Sequence, residues 1–240
     1  MPDTPPPPVA HSNAAAEAAL ASIFGNSEPY GPCSNPLLYA GIGSRDTPPR
    51  VLALMERVAI RLAKLGWALR SGAAPGADSA FERGAIACNG DREIWLPWEG
   101  FQGHADTGLY PLERHFRFTG EHHDTWRATL CKGPVAPYIP TWERMKAGTR
   151  KLYARNSGQV LGEDLVTPVK FVLCWTPDGC ESYADRSMAT GGTGVAISIA
   201  SERGIPVFNL FHENALERLK VLLDSLETPA FEPLVTTPIP

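Results

Sequence analysis

Short apolar runs alternate with longer amphipathic segments along most of the chain, and turns rich in glycine or proline separate them. The first apolar run, residues 37–40, predicts a buried strand, and residues 49–65 predict a helix. Proline suits the first turn of that helix, and the glycine that follows suits its end. The apolar positions of the helix recur at three- and four-residue steps and would form one stripe: Val51, Met55, Val58, Leu62 and Leu65.

The same succession of strand, turn and helix recurs along the rest of the chain. Because strands that alternate with helices form parallel sheets, the pattern predicts an α/β fold, a Rossmann-like, doubly wound, mostly parallel sheet with helices on both faces. The helix over residues 141–164 would begin with Thr141 as its N-cap. Further strands are predicted at residues 67–70, 93–96, 170–175 and 205–210, and further helices at about 79–88, 141–164, 195–203 and 213–226.

Periodicity also suggests how the chain divides. Residues 36–227 form one predicted domain, preceded by an N-terminal arm over residues 1–35 that contains a polyproline run. The tail, residues 228–240, is rich in proline and has little pattern. Within the domain, periodicity fails over about residues 102–140, so we expect an insertion there, of the kind that is often functional.

Charge and composition narrow the classes of function. A formal net charge of -4 and a pI near 5.9 argue against a protein that coats duplex DNA through bulk positive charge. No apolar stretch approaches the roughly 20 residues of a membrane span, and no signal peptide is visible. We therefore expect a cytoplasmic protein with no membrane partner. The 5 cysteines include no C-x-x-C pair, which indicates free thiols rather than disulfides or a zinc site.

The insertion holds histidines that invite a metal-site interpretation, chiefly His122 and His123 beside Asp124. Adjacent histidines on one loop usually point in different directions, and no helical pair at i, i+4 completes a ligand set. We therefore expect no metal and no other cofactor. A basic loop over a ligand and an ordinary surface excursion are the remaining interpretations of this segment.

The first glycine-rich turn follows the first predicted strand and has the sequence Gly41-Ile42-Gly43-Ser44-Arg45. A strand, a glycine turn and a helix start form the geometry in which free backbone N–H groups face an anion. Ser44 adds a hydroxyl donor, and Arg45 adds a charged fork for a phosphate. Gly43, Ser44 and Arg45 are therefore predicted to bind the ligand. Glycine that serves the shape of the turn alone is the alternative.

The second glycine-rich turn, residues 71–78, consists mostly of very small residues, which would let a ligand approach the backbone closely. Asp78 could bond a ribose or a base, cap nearby N–H groups, or act as an acid. Glu82 lies one turn further along the same helix face, so these two carboxylates are the catalytic candidates if the chain is an enzyme. The predicted ligand-binding residues of this turn are Ser71, Gly72, Gly76 and Asp78.

The third glycine-rich turn opens the helix that follows the fourth predicted strand, and it forms the best anion cradle of the chain. The helix over residues 141–164 is the most basic stretch, and within it Arg155 and Asn156 offer a phosphate fork and an amide. A solvated basic face is the alternative for that helix. The predicted phosphate-binding residues of the third turn are Gly191, Gly192, Thr193 and Gly194.

Two aromatic residues, Trp98 and Phe101, follow the third predicted strand. Aromatic side chains just past a strand end can stack on a base, so both are candidates for base stacking. Covering the end of the hydrophobic core is the alternative.

The order of these motifs resembles that of the SLOG superfamily, from the G-S-R turn through Ser71–Asp78 and Arg155-Asn156 to the G-G-T-G turn. That group includes the Rossmann-like domain of DNA-processing protein A (DprA) and the LOG-type phosphoribohydrolases. The resemblance covers about residues 37–210, and it is closest to small phage- or bacteria-encoded DprA-like proteins. It implies that Ser44, Arg45 and Arg155 contact nucleotide phosphates, as DprA relatives hold single-stranded DNA.

The resemblance implies two functions of different classes. The first is binding of a nucleotide or nucleotide-derived small molecule, with single-stranded DNA as another partner of the same site, in a homo-oligomeric protein. The second is LOG-like cleavage of the bond between base and ribose in a nucleoside monophosphate. LOG enzymes have a glutamate just after the glycine turn, where this chain has the apolar residues Val195 and Ala196. The sequence therefore favours binding.

Overall fold

The fold is a five-stranded parallel sheet with helices packed on it. The computed structural model describes residues 37–98, 100–104, 134–162 and 164–227. In chain order the strands are β1 (Leu37–Gly41), β2 (Trp67–Ser71), β3 (Arg92–Ile94), β4 (Phe171–Cys174) and β5 (Val207–Asn209). The helices are α1 (Pro49–Lys64), α2 (Ala77–Ala87), α3 (Ala147–Leu161), α4 (Thr193–Glu202) and α5 (Ala215–Glu227). The predicted α/β, Rossmann-like fold is confirmed.

The strand order creates a crevice in the middle of the sheet. The spatial order is β3-β2-β1-β4-β5, and every neighbouring pair is parallel. The chain leaves β1 towards β2 on one side, and β4 and β5 lie on the other side of β1. The direction of winding therefore reverses between β1 and β4. In open parallel sheets, ligands bind at the carboxyl ends of the strands at such a switch point.

Alternate strand residues face two separate hydrophobic cores. In β1, Tyr39 belongs to a core that includes residues of α1, α2 and α5. Leu38 and Ala40 belong to a second core that includes residues of α3 and α4. Because strand side chains alternate in direction, each face of the sheet buries its own set of helices. The predicted apolar stripe of α1 lies in the first of these cores.

One glycine fixes how closely α3 approaches the sheet. A Cβ atom added at Gly158 would lie 2.2 Å from Cε3 of the buried Trp95 ring, which follows β3. Only a residue without a side chain allows this contact. The close approach determines where the polar residues of α3 lie relative to the strand ends.

The start of α3 corrects one sequence prediction. A 3-10 turn, Trp142–Arg144, comes first, and α3 begins only at Ala147. Met145 and Lys146 between them have extended backbone, with ψ of 147° and 148°, and this interrupts the predicted helix. Thr141 makes no side-chain cap hydrogen bond, so its predicted role as the N-cap of the long helix is wrong. Within the described residues, no helix combines the length and apolar character needed to cross a membrane.

Candidate functional site

A pocket of about 370 Å³ opens at the carboxyl edge of the sheet, at the switch point between β1 and β4. One wall is the segment after β1, residues 42–46, and the opposite wall is the turn before α4, residues 189–193. One side of α3, between residues 149 and 159, forms a third wall. Asp78 is the deepest acidic group in the lining, with 3% of its surface exposed.

The turn after β1 uses most of its own backbone donors inside the protein. The N–H of Gly43 donates to Oδ1 of Asp78 over 3.2 Å, and the N–H of Ser44 donates to the carbonyl of Trp175 over 3.0 Å. The N–H of Asp46 donates to Oγ of Ser44 over 3.1 Å. This corrects the expectation of free N–H groups here. The turn offers the pocket the side chains of Ser44 and Arg45 instead.

Asp78 lies in the first turn of α2 and links two of the glycine-rich turns. Besides the bond from Gly43, its Oδ2 accepts a hydrogen bond from the N–H of Ala74 over 3.4 Å. Burial raises the pKa of Asp78 to about 6, although the nearby Arg155 and these backbone hydrogen bonds act to lower it. Asp78 therefore caps backbone donors and also lines the pocket, and its carboxyl group titrates close to neutral pH.

Arg155 is a buried cation on α3. Its Nη1 donates to the carbonyl of Gly72, and its Cζ lies 5.1 Å from the centre of the Phe101 ring. Its Nε is buried and has no hydrogen-bond partner within the residues that the structure describes. Burial lowers the pKa of Arg155, Asp78 acts to raise it, and the positive charge of Arg45 lowers it further. Two arginines therefore face the same pocket closely enough to repel each other.

A stripe of α3 forms a wall of the pocket. Its members recur at three- and four-residue steps, so they share one helix face. The amide of Asn156 donates from Nδ2 to the carbonyl of Gly192 over 3.1 Å and thus connects this wall to the opposite turn. The sequence identified Asn156, but it missed the rest of the stripe. The signal was the helical spacing around Asn156: Thr149, Leu152, Tyr153, Asn156 and Gln159.

The turn before α4 supplies main-chain donors. Within the described residues, the N–H groups of Gly191, Gly192 and Thr193 make no hydrogen bond of normal geometry. Gly191 has a φ of 62°, which glycine adopts without strain. All three residues line the pocket, and α4 begins at the third, so the positive end of the helix dipole is added to the free donors. Of the two turns, this one presents backbone donors to the pocket, whereas most donors of the first are used inside the protein.

Asp178, in the turn after β4, holds this cradle in place. Its Oδ2 accepts hydrogen bonds from the hydroxyls of Ser187, over 2.5 Å, and of Thr190. The N–H of Ser187 in turn donates to the Thr190 hydroxyl over 2.9 Å. Burial acts to raise the pKa of Asp178, but the hydrogen bonds from Ser187 and Thr190 outweigh it and lower the pKa. An ionised carboxylate thus fixes the residue that precedes Gly191.

Four predicted site residues support the pocket without lining it. The hydroxyl of Ser71 donates to the carbonyl of Gly41 over 2.7 Å. Gly76, with a φ of 89°, packs against the turn after β1, where a Cβ would lie 2.7 Å from the Ser44 carbonyl oxygen. Gly72 accepts the hydrogen bond of Arg155, and Gly194 is buried inside the first turn of α4. Their small size lets the turns pack together.

Three further candidates lie away from the pocket lining. Glu82 accepts a hydrogen bond from Nε2 of His104 over 2.8 Å, and this bond raises the pKa of the histidine. Trp98 and Phe101 pack edge to face with 5.2 Å between ring centres. The structure therefore places neither the second carboxylate nor the two predicted stacking rings in the lining of the pocket. Tyr153 is the one aromatic side chain among the described lining residues.

Among the described residues, the histidine, cysteine and acidic side chains form no metal site. Within the described part of the chain, no group of 3 or more histidine, cysteine or acidic side chains could hold a metal ion. His122, His123 and Asp124 lie outside the described residues, as does most of the predicted insertion. Cys88, Cys174 and Cys180 are free thiols.

No protein-family model matches the chain, and no curated protein or solved structure is detectably similar to it.

Proposed function

We propose that this chain binds a nucleotide, or a small molecule derived from one, in the pocket between β1 and β4. The observation that carries the proposal is the row of three consecutive residues, Gly191 to Thr193, that line the pocket at the start of α4 and whose N–H groups make no hydrogen bond of normal geometry within the described residues. Unpaired backbone donors at a helix N-terminus favour an anion, and a phosphate group accepts several such bonds at once.

The charges of the lining side chains nearly cancel, so anion binding depends on these backbone donors. The described lining contains two arginines, Arg45 and Arg155, and two aspartates, Asp46 and Asp78. The side-chain charges of the pocket therefore nearly cancel. An anion that bound through bulk positive charge alone would gain little here. Main-chain donors combined with one nearby arginine select a small, concentrated negative charge such as a phosphate.

Size and shape favour a ligand larger than inorganic phosphate. The volume of about 370 Å³ lies near the lower end of the range of roughly 300–1,000 Å³ that small-molecule pockets occupy. Tyr153 and Leu152 add apolar surface beside the cradle, against which a base could pack. These features suit a mononucleotide-sized molecule. The resemblance of the sequence motifs to the SLOG superfamily supports the same proposal and adds the expectation of a homo-oligomer.

Isothermal titration calorimetry tests the proposal with nucleoside mono-, di- and triphosphates and a single-stranded DNA oligonucleotide at two salt concentrations. We expect a nucleotide to bind each chain once, with a shallow loss of affinity as salt rises. A steep salt dependence indicates several phosphate contacts and hence a polynucleotide. The small-molecule proposal would be overturned if no nucleotide bound and the oligonucleotide bound with a steep loss of affinity as salt rises.

One observation favours a second candidate function, hydrolysis of the bond between ribose and base. Asp78 is a buried carboxyl with a pKa of about 6, and it lines the pocket. In such a reaction the C1′–N bond breaks, water adds to C1′, and the leaving base takes up a proton. A carboxylate beside the sugar stabilises the oxocarbenium-like transition state. Glu82 is held by His104 outside the lining, so Asp78 is the carboxylate that this reaction would use.

An assay that measures by chromatography the free base released from a nucleoside monophosphate distinguishes the two functions. The binding proposal predicts no release above the rate in buffer. Release that disappears in Asp78→Asn while nucleotide binding persists would establish the hydrolase function instead. Glu82→Gln is the matched control, because its carboxylate lies one helical turn away and outside the lining.

A further inference from the structure

Gln159 is a largely buried residue of α3 that lines the pocket, with 2% of its surface exposed. Within the described part of the chain, its side chain makes no hydrogen bond, and its amide atoms are not among the fully buried polar atoms without a partner. The amide therefore reaches the open space of the pocket. The proposed function assigns it no role. An amide held in this way is available to a ligand that enters the pocket.

The amide converges with two other polar groups at one point. The point is the position where a Cβ atom of Gly72 would lie. Nε2 of Gln159 is 2.2 Å from it, Oδ2 of Asp78 is 2.9 Å from it, and Cζ of Arg155 is 3.1 Å from it. The three groups therefore lie within a few ångström of one another. The absence of a side chain at Gly72 lets the three groups pack this closely, and two of them, Asp78 and Gln159, form the polar inner end of the pocket.

The inner end lies below the anion cradle along α3. Asn156 bonds the carbonyl of Gly192, and so it marks the level of the cradle. Gln159 follows three residues later, about 4.5 Å further along the helix axis. Tyr153 lies about the same distance in the other direction. Phosphate donors and the aromatic surface are thus on the outer side, and the polar pair of Asp78 and Gln159 is on the inner side.

We propose that Asp78 and Gln159 bind the 2′- and 3′-hydroxyl groups of a ribose, so that a ribonucleotide enters the pocket with its sugar edge first. The inference rests on the proposed function and deepens it by naming the ligand as a ribonucleoside 5′-phosphate. In a nucleotide, the base and the C5′ carbon project from one face of the ribose, and both hydroxyls project from the other. Hydroxyls at the inner end therefore place base and phosphate together on the outer side, beside Tyr153 and the Gly191–Thr193 cradle.

The hydrogen-bonding chemistry of the two residues fits a pair of adjacent hydroxyls. An ionised Asp78 only accepts, and its oxygens already accept from the N–H groups of Gly43 and Ala74, so a ligand must present a donor to it. The Gln159 amide both donates and accepts. A hydroxyl that donates to Asp78 and accepts from Gln159 pairs both groups. A base inserted first would leave the aromatic surface of Tyr153 unused.

Affinity for ribose and deoxyribose analogues tests this inference. The probes are AMP, GMP, CMP and UMP, their 2′-deoxy counterparts and 3′-deoxyadenosine 5′-monophosphate, titrated by calorimetry at pH 7.5. Sites built to bond a hydroxyl strongly reject analogues that lack it. For the preferred base, we expect the ribonucleotide to bind at least about 10-fold more tightly than its 2′-deoxy counterpart, and we expect AMP to bind more tightly than 3′-deoxyadenosine 5′-monophosphate.

The variant Gln159→Met keeps the length of the side chain and removes the amide. We expect it to melt at the same or a higher temperature, because no internal hydrogen bond is lost. We also expect the affinities of this variant for the ribonucleotide and the deoxynucleotide to differ by no more than about threefold, while its affinity for the deoxynucleotide is unchanged. Undiminished preference in this variant would overturn the role of Gln159.

The outcomes separate the inference from the proposed function. Equal binding of ribo- and deoxyribonucleotides by the unaltered chain would overturn the inference and leave nucleotide binding intact. Failure of every nucleotide to bind would overturn the proposed function and the inference with it. Neither result depends on whether the variant folds, because both are measured on the unaltered protein.

Discussion

The carboxylate of Asp78 accepts a hydrogen bond from the backbone N–H of Gly43 over 3.2 Å, across 35 positions of the chain. This bond joins the turn after β1 to the first turn of α2 and fixes one side of the pocket. It also uses the N–H of Gly43, which a glycine turn would otherwise offer to an anion. The phosphate site that we propose therefore lies at the turn before α4.

The stability of the fold should fall as the pH rises through the titration range of Asp78. Its pKa in the folded protein is about 6, above the ordinary value of 3.8, so between these values the folded state holds a proton that the unfolded state has lost. The contribution of Asp78 to stability is therefore largest below about pH 4 and is lost by about pH 6. The two-unit difference corresponds to about 3 kcal/mol.

Urea unfolding between pH 4 and pH 8 measures this effect, with Asp78→Asn as the comparison. The difference in the free energy of unfolding between the two proteins should change by about 3 kcal/mol across this range, and the original residue should be favoured at low pH. A constant difference would show that burial does not raise the pKa of Asp78.

Removing the exposed arginine of the pocket should weaken nucleotide binding without weakening the fold. Arg45→Ala loses a charge-assisted contact to phosphate, which is worth about 1.5–3 kcal/mol, or about 10- to 100-fold in affinity. Because Arg45 and Arg155 repel each other in the empty pocket, the melting temperature should not fall. Arg61→Ala, an exposed arginine in the last turn of α1, is the matched control. Equal affinity of the two variants would contradict the position of the site.

Two glycines with the same backbone conformation separate binding from stability. Gly191 has a φ of 62° and Gly204 a φ of 67°, and a Cβ at either position would meet no atom closer than about 4 Å. Alanine should therefore cost about 1–2 kcal/mol of stability at each position. Only Gly191→Ala should also weaken nucleotide binding, by at least about 10-fold, because it distorts the donors of the cradle. Chemical unfolding and calorimetry check the two effects, and equal nucleotide affinity of the two variants would show that the cradle does not bind phosphate.

Close packing of α3 on the sheet should be sensitive to a single methyl group. In Gly158→Ala the new Cβ would overlap the buried ring of Trp95, which has no room to move, so we expect a loss of about 1–3 kcal/mol of stability. Gly148→Ala, in the exposed first turn of the same helix, should change stability by less than about 1 kcal/mol, since the nearest atom lies 4.0 Å away. A comparable loss in both variants, measured by urea unfolding, would contradict the packing argument.

The fold could be predicted because its signals are local. The apolar stripe of α1 and the glycine after each of several strands are visible in the sequence without knowledge of distant contacts. The interruption before α3 was not visible, because Met145 and Lys146 have no strong preference against a helix. Their extended backbone depends on the packing of the surrounding chain.

The site could be predicted only in part, because hydrogen-bond partners come from distant positions. Gly43 and Gly191 both follow the pattern of an anion-binding turn. The N–H of Gly43 donates to Asp78, whereas the N–H of Gly191 makes no hydrogen bond of normal geometry within the described residues. The directions of Trp98 and Phe101 likewise depend on how the chain continues after β3. Gln159 was not predicted as a site residue, because nothing in the sequence marks an isolated glutamine on a helix apart from its spacing from Asn156.

Native mass spectrometry tests the central claim most directly. The unaltered chain, Gly191→Ala and Gly204→Ala would each be sprayed as purified and after addition of an equimolar mixture of nucleotides. We expect one nucleotide mass for each copy of the unaltered chain, retained in Gly204→Ala and reduced in Gly191→Ala. An unaltered chain that carries no nucleotide under either condition, or equal occupancy in both variants, would contradict nucleotide binding at the cradle.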